Sequence, residues 1–454
     1  MNQPAYEDAP IEREDQLLQP FEAAFKPPER FRVGTEAEKF GVIAGSGKPR
    51  ALSFEGPDGV QEVLCRLADR FGWEPQREHA RGEIIYLSRG EASITLEPAA
   101  QLELSGAPLT TIHETAREFA EHREELLSVS QDLGVSWVCL GFHPFATHDE
   151  LPHVPKLRYA IMKRYMPTRG PRSVDMMRRT CTVQANLDYE DERDAMRKLR
   201  LALALQPIAT TMFSNSPFIE SRRSRYLSER AATWMQMDRD RSGLLPFAWR
   251  SDATLESYVQ WALDVPMFMV KRGSRVLENT GQTFRSFLHD GFENVRATHE
   301  DWKTHLNSLF PEARLKGTLE VRGADGLPHD LVCAVPALWK GLLYDGEAFS
   351  AAEALVEPLS VASLEAARPA AITHGLRAPL LDRTLQRWAE QLLEIASAGL
   401  ARQASAGPEG QPDETEYLLG ITRLVSHGQT PAERLLEAVG EGATPSRVVR
   451  QASL

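Results

Sequence analysis

The stretch RTCTVQANLDY, residues 179–189, alternates without a break. Cys181, Val183, Ala185, Leu187 and Tyr189 fall on one side of an extended chain, and Thr180, Thr182, Gln184, Asn186 and Asp188 on the other. A sustained period of two predicts a strand with one apolar and one polar face. The same pattern recurs outward from it. Glu36 and Glu38 share a face in 33–40; Ser93, Thr95 and Glu97 oppose Ile94 and Leu96; past the Pro98 turn, Gln101 and Glu103 oppose Leu102 and Leu104. In 315–322, read as one strand, Lys316, Thr318, Glu320 and Arg322 oppose Leu315, Leu319 and Val321. An antiparallel sheet commonly wets one face, so polar alternation alone marks nothing. Here, however, Glu36, Glu38, Glu97, Gln101, Glu103 and Glu320 come with little cationic relief, and like charges side by side on a sheet repel and raise one another's pKa. Hard Mg²⁺, which takes carboxylate oxygens and completes its shell with water and phosphates, relieves that repulsion. Two readings follow: a solvated face, or a carboxylate-lined Mg²⁺ site.

Between these strands the spacing predicts helices over 59–71, 109–133, 191–213, 255–263 and 301–309, with a short one over 16–25 stopped by Pro27-Pro28. From 330 onward the pattern is almost wholly helical, including 380–400 and 414–424, with a Gly/Pro/Ser-rich insert at 405–412 between them. The expected class is α+β: a polar lead with one short helix (1–30), a core of strands and helices (31–329) and a mainly helical C-terminal part packed on it (330–454).

The 454 residues include 52 basic and 64 acidic ones, a net charge of -12, which argues against a broad nucleic-acid-binding surface. No apolar run is long enough to span a membrane. Cys65, Cys139, Cys181 and Cys333 are widely spaced and form no C-x-x-C pair, so they read as reduced thiols. The acidic start, MNQPAYEDAPIEREDQ, resembles neither a signal nor a transit peptide, and the cytoplasm is the expected location.

Several motifs fail on inspection. Gly45-Ser46-Gly47-Lys48 hints at a phosphate loop, but Val42 and Pro49 occupy positions that need Gly and Ser or Thr, so it reads as a hairpin turn. His113-Glu114 begins a zinc-protease motif that Arg117 breaks. His143, His148 and His153 suit no single helix face and read as a surface loop, zinc binding being the alternative. Arg158 in PKLRYAIMKRYMP and the pair Arg230 and Trp234 in SERAATWMQMDRDRSG fit ordinary amphipathic helices, or arginines that grip a carboxylate or phosphate bidentately.

Read in order, GTEAEKFGV (34–42), TLEPAAQLELSGAP (95–108), LRYAIMKRYMP (157–167), RTCTVQANLDY, LALQPIAT (203–210), ALDVPM (262–267) and LEVRGADG (319–326) together resemble the plant-type glutamate–cysteine ligases found also in proteobacteria. The resemblance runs from about Phe31 to about Glu437. It implies a glutamine synthetase-like antiparallel sheet forming a funnel-shaped active site with helices outside. It also implies ATP- and Mg²⁺-dependent joining of glutamate and cysteine through γ-glutamyl phosphate, the first step of glutathione biosynthesis.

By that resemblance Glu36, Glu38, Glu97, Glu103, Gln184 and Glu320 surround the Mg²⁺ ions, Arg322 contacts the transferring phosphoryl group, and Arg158 and Arg230 hold the glutamate carboxylate, with Arg230 also counted as catalytic. Trp234 walls the glutamate pocket. Phe268 stands where plant enzymes carry a Tyr, and Ala37 replaces the His of GTEHEKFG on the opposite strand face. Positions matching the plant regulatory disulfides hold Ala116 with Cys333, and Asn279 in a shortened hairpin, so no thiol switch of the plant kind is expected. Residues for the adenine, a general base and the choice between monomer and homodimer stay unassigned. A ligase with another amine acceptor and a non-catalytic binder of ATP or glutamate are the competing readings.

Overall fold

The structure, a computed structural model, describes residues 9–44, 48–77, 82–273, 275–403 and 413–454. Its centre is a ten-stranded sheet, mixed with many helices as the α+β expectation requires. In chain order the strands are β1 (Val33–Ile43), β2 (Arg50–Ala51), β3 (Glu74–Arg77), β4 (Ile84–Arg89), β5 (Ala92–Leu96), β6 (Leu102–Ser105), β7 (Val135–Val138), β8 (Thr182–Leu187), β9 (Ala313–Leu315) and β10 (Leu319–Asp325). The order across the sheet is β9-β10-β8-β1-β6-β5-β4-β3, every pair antiparallel, with β2 and β7 flanking the far end of β1. The sheet is open, bounded by β9 and β3.

Register explains why each strand's pattern matters. Ala37 pairs with Leu104 on one side and Val183 on the other, so the apolar positions of three strands form one row. That row, with Leu87, Ile94, Leu187 and Val321, is buried against the helices. Chief among these are α1 (Val60–Phe71), α2 (Ile112–Ser130) and a long helix over Glu192–Met212. The opposite row is polar and lines a cavity.

The cavity's other wall comes from α3 (Leu157–Tyr165), α4 (Ser173–Arg179) and, beyond the long α5 (Glu192–Met212), the short α6 (Glu229–Trp234). Asp191 caps α5 through the Asp194 N–H, and Ser228 caps α6 through that of Ala231. Further along lie α7 (Leu255–Leu263) and α8 (His299–Leu306), the latter capped by Thr298 and starting two residues before the expected 301. The C-terminal helices begin with α9 (Ala334–Leu343) and share the sheet's hydrophobic core. Buried Lys340 on α9 ion-pairs with buried Glu414, which also accepts the Ile112 N–H that opens α2.

Several expectations change in detail. The stretch 315–322 is two strands, not one: β9 and β10 form a hairpin that reverses over 316–318, and the even spacing across the turn hid it. The 16–25 helix is a tight turn over Glu14–Leu18 running into Gln19–Glu22. Before the expected 380–400 helix comes a two-strand hairpin, and the helix spans Leu385–Gln403. The 414–424 segment divides into a tight turn over Glu414–Leu418 and a helix over Leu419–Ser426. The 45–48 turn falls partly on 45–47, outside the described residues, while Ile43 and Arg50 pair on either side of it. The whole 405–412 insert also lies outside them. His143 is buried, not on the surface: it meets Phe40 and Phe145 edge to face, its Nδ1 accepts the Ala146 N–H, and burial lowers its pKa to about 3.

Candidate active site

The polar face of β1, β6, β8 and β10, with the turn after β5, floors a cavity of about 560 Å³. Glu36, Glu38, Glu97, Glu103, Gln184, Glu320, Arg158, Arg230, Trp234, Phe268 and Arg322 all line it, so the residues expected from sequence converge on one space. Pairing sets their spacing: Glu38 stands opposite Glu103, Glu36 opposite Gln184, and Glu320 opposite Asn186.

The floor divides into two electrostatic halves. In the first, Glu38 accepts the Thr182 N–H at 3.1 Å, and Glu103 accepts hydroxyls from Ser105 at 2.5 Å and Thr95 at 3.2 Å. Among the described residues no cation ion-pairs with Glu38, Glu97 or Glu103. Burial, with Glu97 and Glu103 close by, pushes the Glu38 carboxyl well above its usual range. Burial with Glu36 and Glu97 raises Glu103 to about 8. Glu36 accepts amide protons from Asn186 at 2.8 Å and Gln184 at 3.3 Å.

In the second half Glu320 is buried and already neutralised. Arg314 Nη2 lies 2.7 Å and Arg322 Nη1 2.5 Å from its Oε2, and Lys316 Nζ 2.8 Å from its Oε1. These cations hold its pKa well below the ordinary value despite its burial. Arg322 Nη1 also donates to Gln184 Oε1 at 2.6 Å. The sequence expectation gave Glu320 and Gln184 to a metal. In this structure their oxygens accept from Arg322, Arg314 and Lys316, because β9 folds back on β10 and brings Arg314 opposite Glu320.

The cationic wall follows from α6 and a bulge. Between Val321 and Ala324 the β10 ladder slips against β8, turning two successive carbonyls toward α6. Arg230 takes both, donating to Arg322 O at 2.7 Å and Gly323 O at 3.2 Å. Gly323 lets α5 pack close: a Cβ there would displace the side-chain ends of Gln206 and Thr210. Trp234, one turn along α6, lies 5.5 Å from the Arg230 guanidinium and 5.9 Å from that of Arg322, measured to its ring. Arg158 sits exposed at the rim, over the Tyr159 ring at 4.8 Å. Buried Phe268 lies 4.1 Å beneath the Arg241 guanidinium, which Asp238 holds at 2.7 Å.

Sequence reasoning did not single out Arg314, Lys156 or Tyr159 as site residues, yet all three line the cavity. Lys156 and Tyr159 lie in the segment PKLRYAIMKRYMP beside Arg158, and both donate to Leu96 O at 2.9 Å. Arg314 gave no local signal.

Hard oxygen donors at one end and guanidinium groups at the other suit a polyanionic substrate bridged by a divalent cation. Among the described residues no three acidic, His or Cys side chains close around one point as a ready-made cage. Burial and neighbouring acids hold the carboxyls of Glu38 and Glu103 above their ordinary range, and with Glu36 and Glu97 they line the cavity with hard oxygen donors, so the donor set fits.

A family model described as glutamate–cysteine ligase family 2 matches residues 32–451. The chain belongs to this family. Chloroplastic glutamate–cysteine ligases of Brassica juncea and Arabidopsis thaliana are each 41% identical to it over 431 residues, covering 94% of this chain and 81% and 80% of theirs. A crystal structure of the Francisella tularensis glutamate–cysteine ligase in complex with AMP superposes with a TM-score of 0.56 over 94% of this chain and 88% of that one, at 13% identity. That likeness extends the shared fold to a distant sequence, and the family's sheet-and-helix architecture is the one described above. No helix among the described residues is long and apolar enough to cross a membrane.

Proposed function

We propose that this protein joins L-glutamate to L-cysteine with ATP, giving γ-glutamylcysteine, the first committed product on the way to glutathione. The observation that carries the reading is the pairing of an uncompensated carboxylate floor with an arginine wall in one cavity, in a chain of this family. A γ-carboxylate oxygen of glutamate attacks the terminal phosphorus of ATP, the P–O bond to ADP breaks, and the cysteine amine then displaces phosphate from the acyl carbon. Both steps build negative charge, so positioned cations supply most of the acceleration.

Arg322, held by Glu320 and Gln184, faces the transferring phosphoryl group. Arg230 and Arg158 bind the glutamate carboxylate, with Trp234 and Phe268 as apolar walls that exclude water. Glu36, Glu38, Glu97 and Glu103 would hold Mg²⁺, which when bound neutralises charge between the floor and the nucleotide phosphates. Glu320 and Gln184 act in this reading through Arg322. Every one of these residues falls within 31–329, and 330–454 braces that core from behind. The cytoplasmic location stays part of the proposal, supported by four free thiols, although the curated relatives are named as chloroplastic.

The test is ADP release by the purified protein with ATP, Mg²⁺ and glutamate across a panel of amine acceptors. Cysteine as the best acceptor supports the proposal. No ADP release, or a clearly better acceptor than cysteine, overturns it.

A further inference from the structure

Asp325 ends the strand that carries Glu320 and Arg322, is completely buried, and is not among the residues lining the cavity. Its carboxylate is nevertheless fully engaged. Oδ1 accepts the Ser228 hydroxyl at 2.8 Å; Oδ2 accepts the Ser216 hydroxyl at 2.6 Å and the Asn215 N–H at 2.7 Å. Each of those serines leads to Arg230. Ser228 caps α6 by accepting the Ala231 N–H at 2.9 Å, and Ser216 Oγ accepts the Arg230 N–H itself at 3.2 Å.

We propose that Asp325 is a positioning residue for Arg230: it ties the start of α6 to the end of β10, so that the guanidinium is held in fixed relation to Arg322. The inference rests on the ligase reading above and deepens it by naming a residue outside the cavity that sets glutamate recognition.

Three observations carry it. The first is charge. Arg230 is buried, and among the described residues it has no carboxylate in ion-pair contact; its guanidinium is anchored on the carbonyls of Arg322 and Gly323. Asp325 is the leading negative charge acting on it from within the fold, followed by Glu38. Balancing a buried cation at a distance leaves its outward donors for a substrate carboxylate. The second is geometry. All three donors to Asp325 lie on the segment 215–228 that leads into α6, and the bulge that presents the two carbonyls lies on the same strand as Asp325. Strand and helix are thus latched at both ends of the arginine. The third is space. A Cβ on Gly141 would collide with the Asp325 carboxylate, so the neighbouring chain is kept bare to admit it. An acceptor-only group serves three converging donors where Asn would turn an N–H against one of them. Keeping a carboxylate at such depth is otherwise unfavourable.

The experiment is a double-mutant cycle on the full chain, reading the KM of glutamate and of cysteine separately. Wild-type turnover is measured first, so an inactive wild-type protein overturns the ligase reading and not this one. With an active wild type, Asp325→Asn is expected to raise the glutamate KM about tenfold and leave the cysteine KM within about twofold. Placed on Arg230→Lys, the same change should add less than about twofold, since the arginine it serves is gone. Ser216→Ala, a milder cut of the same latch, should move the glutamate KM in the same direction if Asp325→Asn does not fold. Equal factors in both backgrounds, or parallel changes in both KM values, would make Asp325 a general structural residue and overturn the proposal.

Discussion

Glu38 and Glu103 face each other directly across the β1–β6 pair, one holding a backbone N–H and the other two hydroxyls, with no ion-paired cation among the described residues for either. Burial pushes both carboxyls up; Glu97 and Glu103 add to the rise at Glu38, and Glu36 and Glu97 to that at Glu103. In the folded protein Glu103 titrates near 8, above the ordinary carboxyl value, so between those two pH values the native state binds more protons than the unfolded chain. Stability without a divalent cation should therefore fall as pH rises from about 5 to about 8, by on the order of a few kcal/mol. Thermal melts across that range check it. Glu103→Gln should flatten the profile, and Mg²⁺ should raise the melting temperature more at pH 8 than at pH 5.5.

Glu320 should behave in the opposite sense. Its depressed pKa contributes stability that is present above the ordinary carboxyl value and is lost as pH falls through the folded one. Glu320→Gln leaves Arg314, Lys316 and Arg322 short of their shared anion, and breaking such a buried set costs roughly 3–5 kcal/mol. We expect a lower melting temperature and slower turnover with the Mg²⁺ half-saturation unchanged. Glu38→Gln should shift that half-saturation upward. A Glu320→Gln protein that needs far more Mg²⁺ would return Glu320 to the metal ligands.

The two arginines of the glutamate pocket differ in burial and should differ in effect. Arg230→Ala removes a buried, doubly anchored guanidinium and should raise the glutamate KM about a hundredfold, whereas exposed Arg158→Ala should raise it about tenfold. Initial rates at saturating ATP and cysteine measure both, and wild-type values in either variant contradict its placement.

Phe268 gives a prediction of gain. Its ring lines the cavity beneath Arg241 and lacks a hydroxyl. Phe268→Tyr should lower the glutamate KM by about two- to fivefold through one added hydrogen bond. An unchanged or higher value would indicate that the ring edge does not face the substrate.

Redox treatment should do little. Cys333 is free and its thiol is pushed by burial to about 12, which keeps it protonated and unreactive, and the other cysteines are free as well. Activity before and after dithiothreitol should agree within about twofold, with no shift in electrophoretic mobility.

What could be read from the sequence follows from how local each signal is. Thr180–Tyr189 displays its two faces within a few residues, and the acids of 36–38 and 97–103 do likewise, so strand, face and carboxylate floor were all legible before any partner was known. The division of labour on that floor was not. Whether a Glu holds a metal or an arginine depends on which strand lies beside it, and the β9–β10 turn that brings Arg314 opposite Glu320 keeps the alternation intact, so nothing in the pattern announces a reversal. His143 was misplaced for a related reason: beside its near neighbour Phe145, it is covered by Phe40, about a hundred positions away in the chain. Asp325 gave no signal at all beyond its place in LEVRGADG, since its donors come from 215–228.

The β1–β8 pair has a consequence for how the molecule is made. Glu36 and Gln184, hydrogen-bonded on the finished floor, are separated by 148 residues, and β8 must next receive β10, the strand that carries Glu320 and Arg322. Contacts of such long range are slow to form, because loop closure precedes any reward. During synthesis β1 and β6 can pair early, but their acidic face waits for strands that have not yet left the ribosome. Until then the nascent chain carries an unpaired β1 edge, the kind of surface that attracts chaperones or neighbouring chains. The floor of the active site is therefore complete only once β10 has been made and paired with β8.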